Sequence, residues 1–218
     1  MLSELLNNGT KHGIFTIVAL EKLDVHRKIR AKVEVIDYDK TKELLFTEIS
    51  KGSLSFKQLK SCDAIKIIVD DNRLDFIEIK GIKQFCETYH QLSAAEGKQK
   101  IDDQLQRFNL PKKIKDSLII LQLLMCTNEI GLNNQQKATF DEEVICDYII
   151  VIDAEIEQDS IKSFATMMSY LADYSSFQQE YIVRLTTSLD TIEDFKIKKP
   201  VLKYHSEMDI HYANDMQQ

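Results

Sequence analysis

Cys62-Asp63-Ala64-Ile65-Lys66-Ile67-Ile68-Val69-Asp70-Asp71-Asn72-Arg73-Leu74-Asp75-Phe76-Ile77-Glu78-Ile79-Lys80-Gly81 is the stretch whose reading decides the fold. Two β-branched runs, Ala64 to Val69 and Leu74 to Ile79, flank Asp70-Asp71-Asn72-Arg73. Asp and Asn tolerate the positive φ angles of tight turns, so the segment reads as a β-hairpin closed by Gly81. A turn centred between Asp71 and Asn72 sets Asp63 opposite Lys80 and Ile65 opposite Glu78. Alternation then places Asp63, Ile65, Ile67, Glu78 and Lys80 on one face. Two carboxylates and one ammonium converge at the open end of the hairpin.

That grouping suits phosphodiester hydrolysis. Paired carboxylates make a hard oxygen site for Mg²⁺ or Mn²⁺, with positions left for water and phosphate oxygens. The metal lowers the pKa of a bound water and neutralises phosphate charge. A neighbouring lysine can orient or deprotonate the attacking water and screen developing negative charge. The backbone carbonyl of Ile79, between Glu78 and Lys80, is placed to point toward the same metal.

Cys62 to Val69 followed by Phe76 to Gly81 resembles the core motif of the PD-(D/E)XK nuclease superfamily. Asp63 matches the motif aspartate, Glu78 the (D/E) and Lys80 the lysine, and fourteen residues separate Asp63 from Glu78. Cys62 stands where the motif name carries proline. The resemblance implies a restriction-endonuclease-like α/β (α+β) fold: a mixed sheet with a central β-hairpin, flanked by helices. It implies a helix and a three-stranded meander, then a crossover helix and a further strand. Glu43–Ile49, Asp63–Asp70 and Leu74–Lys80 stand as the meander, with the Tyr148 segment as the last strand. Many members add a glutamate from the first helix, a role open to Glu21, Glu34, Glu43 and Glu48, with Glu43 counted among the accessory residues. A glutamine or lysine from the helix after the motif often joins the site, and Lys100 and Gln104 match that spacing best. The implied activity is metal-dependent cleavage of nucleic acid, DNA before RNA, in restriction or anti-phage defence.

Outward from the hairpin, Ile14–Leu20 is either a strand or a buried helical turn, and Arg30–Asp37 alternates as a half-buried strand. Asp37–Lys42 carries turn residues, and Glu43–Ile49 reads as strand or short helix. After Gly81 the signal turns helical. Lys100–Phe108 puts Ile101, Leu105 and Phe108 on one face, and Pro111 suits the first turn of a helix running to Met125. Thr127–Glu143 is polar and reads as a loop, and Tyr148–Ile152 as a buried strand. Ser160 is expected to cap a helix through about Tyr174, and Tyr181–Thr186 to form a last strand. Residues 1–200 are expected to make one nuclease-like domain, with 201–218 a loosely ordered tail that carries His205 and His211.

The 218 residues carry 28 Lys+Arg against 35 Asp+Glu, a net charge of −7. That excludes a protein holding nucleic acid through bulk positive charge, though not a local basic track. Arg107, Lys112, Lys113 and Lys115 form such a track and are the expected nucleic-acid contacts; Arg27, Lys28, Arg30 and Lys32 form a second, and Lys196, Lys198, Lys199 and Lys203 a third. Cys62, Cys86, Cys126 and Cys146 include no CxxC pair, which points to reduced thiols rather than zinc or disulfides. The longest apolar run, Leu118–Cys126, is far short of the roughly 20 residues of a membrane helix. A cytoplasmic protein is expected, without a membrane partner, acting as a homodimer or with a partner protein.

Overall fold

The computed structural model describes residues 1–23, 29–49, 58–127, 130–153, 164–192, 196–198 and 200–213, with backbone alone at 48–49 and 164–171. Arg27, Lys28, Ser160, Lys199 and the Glu48 side chain lie outside the described residues.

Six strands form one mixed sheet in chain order: β1 (Ile17–Ala19), β2 (Glu34–Asp37), β3 (Ala64–Ile68), β4 (Arg73–Lys80), β5 (Ile145–Ile152) and β6 (Val201–Tyr204). The first four make an antiparallel meander; β5 runs parallel to β4, and β6 parallel to β5. The hairpin is present, but its register is two residues from the expected one. Ala64 pairs with Ile77 and Ile68 with Arg73, around a four-residue loop in which Asn72 takes φ 49°. A shift of two keeps every side chain on its face and sets Asp63, one residue before β3, across from Glu78 rather than Lys80.

Each face of the sheet has its own core. One carries Ile65, Phe76, Tyr148 and Ile150 against helices α1 (Leu2–Lys11), α2 (Tyr38–Ile49), α5 (Leu110–Leu124) and α7 (Phe164–Leu189). The other carries Ala64, Ile77, Ile79, Ile149 and Val151 beneath Met208 and Tyr212 of α8 (His205–Ala213). Between β4 and β5 the chain makes α3 (Lys83–Tyr89), α4 (Ala94–Phe108), α5 and α6 (Asn134–Glu143).

Four expectations are corrected. Asp37–Lys42 is not a turn: the Asp37 carboxylate accepts the Lys40 N–H at 2.9 Å and so caps α2, which absorbs Glu43–Ile49. The meander takes β2 in its place. The polar stretch through Glu143 contains α6, opened by a capping box between Asn133 and Gln136. Tyr181–Thr186 lies inside α7, with Tyr181, Leu185 and Leu189 buried at helical spacing. The chain after Pro200 is ordered through Ala213 as β6 and α8.

Polar anchors explain the last of these. His205 Nδ1 accepts the Arg30 N–H at 3.1 Å, Asp209 accepts the Val33 N–H at 2.8 Å, and the Tyr212 hydroxyl donates to Asp75 at 2.9 Å. Residues 205, 209 and 212 share one helical face, so α8 is fastened along its length. Asp75 is fully buried, and Arg73 donates to it at 3.0 Å. Burial pushes the Asp75 carboxyl up to about 6, against the opposing pull of Arg73 and Tyr212.

A single residue joins α4 to α5. Asn109, at φ 48°, ends α4 in the left-handed conformation and opens α5, with Pro111 in the first turn.

Truncation at Pro200 uncovers the face that Met208 and Tyr212 bury. At about 2 kcal/mol for each side chain, that is about 4 kcal/mol and lowers the melting temperature by roughly 10 °C in a chain of this size; a loose tail would leave it unchanged. Asp75→Asn is expected to raise stability above pH 6 with no gain near pH 4. A carboxyl raised from 3.8 to about 6 on folding contributes stability below pH 3.8 that is lost as pH rises through 6. Thermal unfolding across that range measures the difference.

Candidate functional site

Asp63 is positioned by its backbone before its side chain acts. The segment entering β3 is tied to α5: the Lys60 N–H donates to Asp116 at 2.8 Å and the Cys62 N–H to the Ser117 hydroxyl at 2.8 Å. Ser117 in turn donates to the Cys62 sulfur at 3.2 Å. The Asp63 carbonyl accepts the Tyr38 N–H at 3.1 Å, and the Tyr38 hydroxyl reaches the Ser117 carbonyl at 2.9 Å. Proline has no N–H to give Ser117, so a proline at position 62 could not make this contact.

The Asp63 carboxylate closes the end of the hairpin. Its Oδ2 accepts the Ile79 N–H at 2.6 Å, continuing the ladder where β3 has ended. In a strand the N–H and C=O of one residue project to the same edge, so the Ile79 carbonyl faces the Asp63 side of β4. The exit of β4 is held as firmly, because Asp153, following β5, accepts the N–H groups of Ile82 at 2.6 Å and Lys83 at 3.0 Å.

Glu78 lies on the same face as Asp63 with no exposed side-chain surface. Its Oε1 accepts from Lys80 and, at 2.6 Å, from Lys113 of α5. Its buried Oε2 has no hydrogen-bond partner among the described residues. Lys80 is 8% exposed and lies over the Phe108 ring at 4.7 Å, a cation–π contact from the end of α4. Lys113, 20% exposed, also lies 4.0 Å from Asp63 Oδ1. The structure thus brings Asp63, Glu78, Lys80 and Ile79 together and adds Lys113.

The electrostatics follow from crowding. Burial first, and then the charge of Glu78, push the Asp63 carboxyl up to about 6, although Lys113, Lys80 and the Ile79 N–H pull the other way. Burial pulls the Lys113 ammonium down, but Glu78 and Asp63 outweigh it and hold the group above its ordinary value. Burial drives the Cys62 thiol well up, with Glu78 adding to the effect. Cys62 is a packed neutral thiol rather than a nucleophile.

The accessory expectations fare differently. Glu43 is exposed on α2, and among the described residues no hydrogen bond or ion pair joins it, Lys100 or Gln104 to Asp63, Glu78 or Lys80. The Lys100 ammonium instead lies 5.8 Å from the Tyr89 ring centre. The reason is the course of α4, which packs on α7: Gly97 lies against Phe177, and Arg184 of α7 bonds Asp102 at 2.6 Å. The helix that meets the motif is α5, one element later. Of the expected nucleic-acid track, Arg107 and Lys115 are exposed and Lys112 pairs with Asp116 at 2.5 Å, while Lys113 turns inward. It lies one helical turn before Ser117, which holds Cys62, and local spacing gives no signal that singles it out from Lys112 and Lys115.

A divalent cation fits these donors in kind. Asp63 and Glu78 are hard oxygen ligands, and the unpartnered Oε2 leaves a buried acceptor unsatisfied. No cluster of three or more His, Cys, Asp or Glu ligands occurs among the described residues, so the carboxylate pair and a backbone carbonyl would have to suffice with water. Two cavities lined by described residues, of about 350 Å³ beside α4 and α7 and about 500 Å³ beside β2, β3 and α8, border neither carboxylate. No protein-family model, curated protein or solved structure matches this chain.

Glu78→Gln is expected to cost about 3 kcal/mol by urea unfolding in chelator, because it leaves the enclosed Lys80 ammonium without its counter-charge.

Proposed function

We propose that this chain is a metal-dependent nuclease of the restriction-endonuclease-like kind, hydrolysing phosphodiester bonds with DNA as the substrate. The observation that carries the reading is the convergence of Asp63, Glu78 and Lys80 on one face at the end of the hairpin. The Ile79 N–H is committed to Asp63 at 2.6 Å. An antiparallel meander followed by a parallel crossover strand is the setting that the motif's family uses, and it supports the same reading.

Bound at this position, Mg²⁺ or Mn²⁺ would supply a water of lowered pKa and neutralise charge on the phosphate. Asp63 and Glu78 would hold it, with the Ile79 carbonyl on the same edge. Lys80, fixed between Glu78 and the Phe108 ring, donates a hydrogen bond to the attacking water and orients it for in-line displacement. Arg107, Lys112 and Lys115 supply positive charge from the end of α4 and the start of α5 for the flanking phosphates. With a net charge of −7, the chain gains its grip on DNA from the metal, from a homodimer or from a partner protein. Restriction or anti-phage defence in the cytoplasm is the setting this chemistry suits.

One observation favours a second reading, a non-catalytic interaction subunit in a larger assembly. Glu78 is wholly enclosed and already neutralised by two ammonium groups, as in a buried ion cluster that serves stability alone.

Incubation of double-stranded DNA with Mn²⁺ separates the two. Cleavage by the wild type is expected, with Lys80→Ala and Asp63→Asn slower by about 100-fold or more. Equal cleavage by wild type and variants overturns the assignment of these residues. An inert wild type that binds no Mn²⁺ by calorimetry leaves the interaction subunit.

A further inference from the structure

Glu78 is neutralised asymmetrically. Both ammonium groups meet Oε1, while the equally buried Oε2 meets none among the described residues. The two lysines are also unlike each other. Lys80 leaves β4 beneath Phe108 and is 8% exposed. Lys113 reaches in from α5, is 20% exposed, and stands 2.6 Å from Glu78 Oε1 and 4.0 Å from Asp63 Oδ1. Its ammonium therefore spans the two carboxylates, the place a cation shared by them would take.

We propose that Lys113 is a displaceable counter-ion that fills the metal position of the resting protein and leaves it when a divalent cation binds. The inference rests on the metal-dependent reading above and adds how that site is held without its metal. Charge arithmetic favours the exchange. Two carboxylates with two lysines sum to zero, whereas two carboxylates with Lys80 and a divalent cation sum to +1, which suits an incoming phosphodiester anion. The same arithmetic explains how Glu78 stays enclosed before the metal arrives, since an unpaired buried carboxylate is costly. Displacement is open to Lys113 because its flexible four-carbon stem begins on a helix at the protein surface. Lys80, held under an aromatic ring, has no such freedom.

Calorimetry with Mn²⁺ alone at pH 8 tests this on wild type, Lys113→Gln and Lys113→Arg. Removing the competing charge is expected to tighten Mn²⁺ binding by about tenfold or more, while Lys113→Arg stays near wild type. The wild type also gives a test without substitution. Acetic anhydride labelling read by mass spectrometry should show Lys113 more reactive with Mn²⁺ than without it, and Lys80 unchanged. Binding to Lys113→Gln no tighter than to wild type, or Lys113 labelling that stays level or falls with Mn²⁺, overturns the displacement and leaves the nuclease reading in place. Absence of Mn²⁺ binding in wild type and Lys113→Gln alike overturns both.

Discussion

A carboxylate with no exposed surface has to be answered by positive charge, and Glu78 organises the structure around that demand. Lys80 comes from the same face of the same strand, two residues on. Lys113 comes from a helix thirty-five residues away in sequence. For both to arrive, β4 must end where it does, α5 must lie across the entry to β3, and the end of α4 must place Phe108 over Lys80. Asp153 fixes the first of these, Asp116 and Ser117 the second, and Asn109 links the second to the third.

Asp63 is outside β3 yet completes the ladder, because its side chain takes the N–H that a further backbone pair would have taken. Strand pairing and carboxylate placement are thus one interaction. The Ile79 N–H thus holds the Asp63 carboxylate beside the residue that follows Glu78.

The hairpin was legible because two β-branched runs with a polar midpoint admit few other structures, and parity survived even though the register differed by two. Lys113 was not, because its role depends on α4 diverging to pack on α7, a long-range choice that local spacing does not express. The other differences lie where a local signal is double-edged. Asp37 and its polar followers serve a turn or a helix cap equally well. Tyr181, Ile182 and Val183 favour strands by type, but burial of Tyr174, Gln178, Tyr181 and Leu185 follows a helical period. Asn133 and Gln136 spelled a capping box for α6, a helix whose one buried residue, Phe140, gives it no apolar stripe. Tertiary anchors decided the C-terminal segment, where His205, Asp209 and Tyr212 find partners from two distant parts of the chain, Arg30–Val33 and Asp75.

Asn109 has a geometric consequence beyond joining two helices. The side chains on either side of the Glu78–Lys80 pair, Phe108 and Lys113, are separated in the chain by one left-handed residue and one helical turn. Both are thus placed by the one junction at Asn109. A change in the angle between α4 and α5 would shift the backbone anchors of the aromatic cover and the inner ammonium together, whereas rotation within the Lys113 stem moves the ammonium alone. Because α4 is also strapped to α7 through Asp102 and Arg184, the junction is braced from outside, at a point about midway along α4.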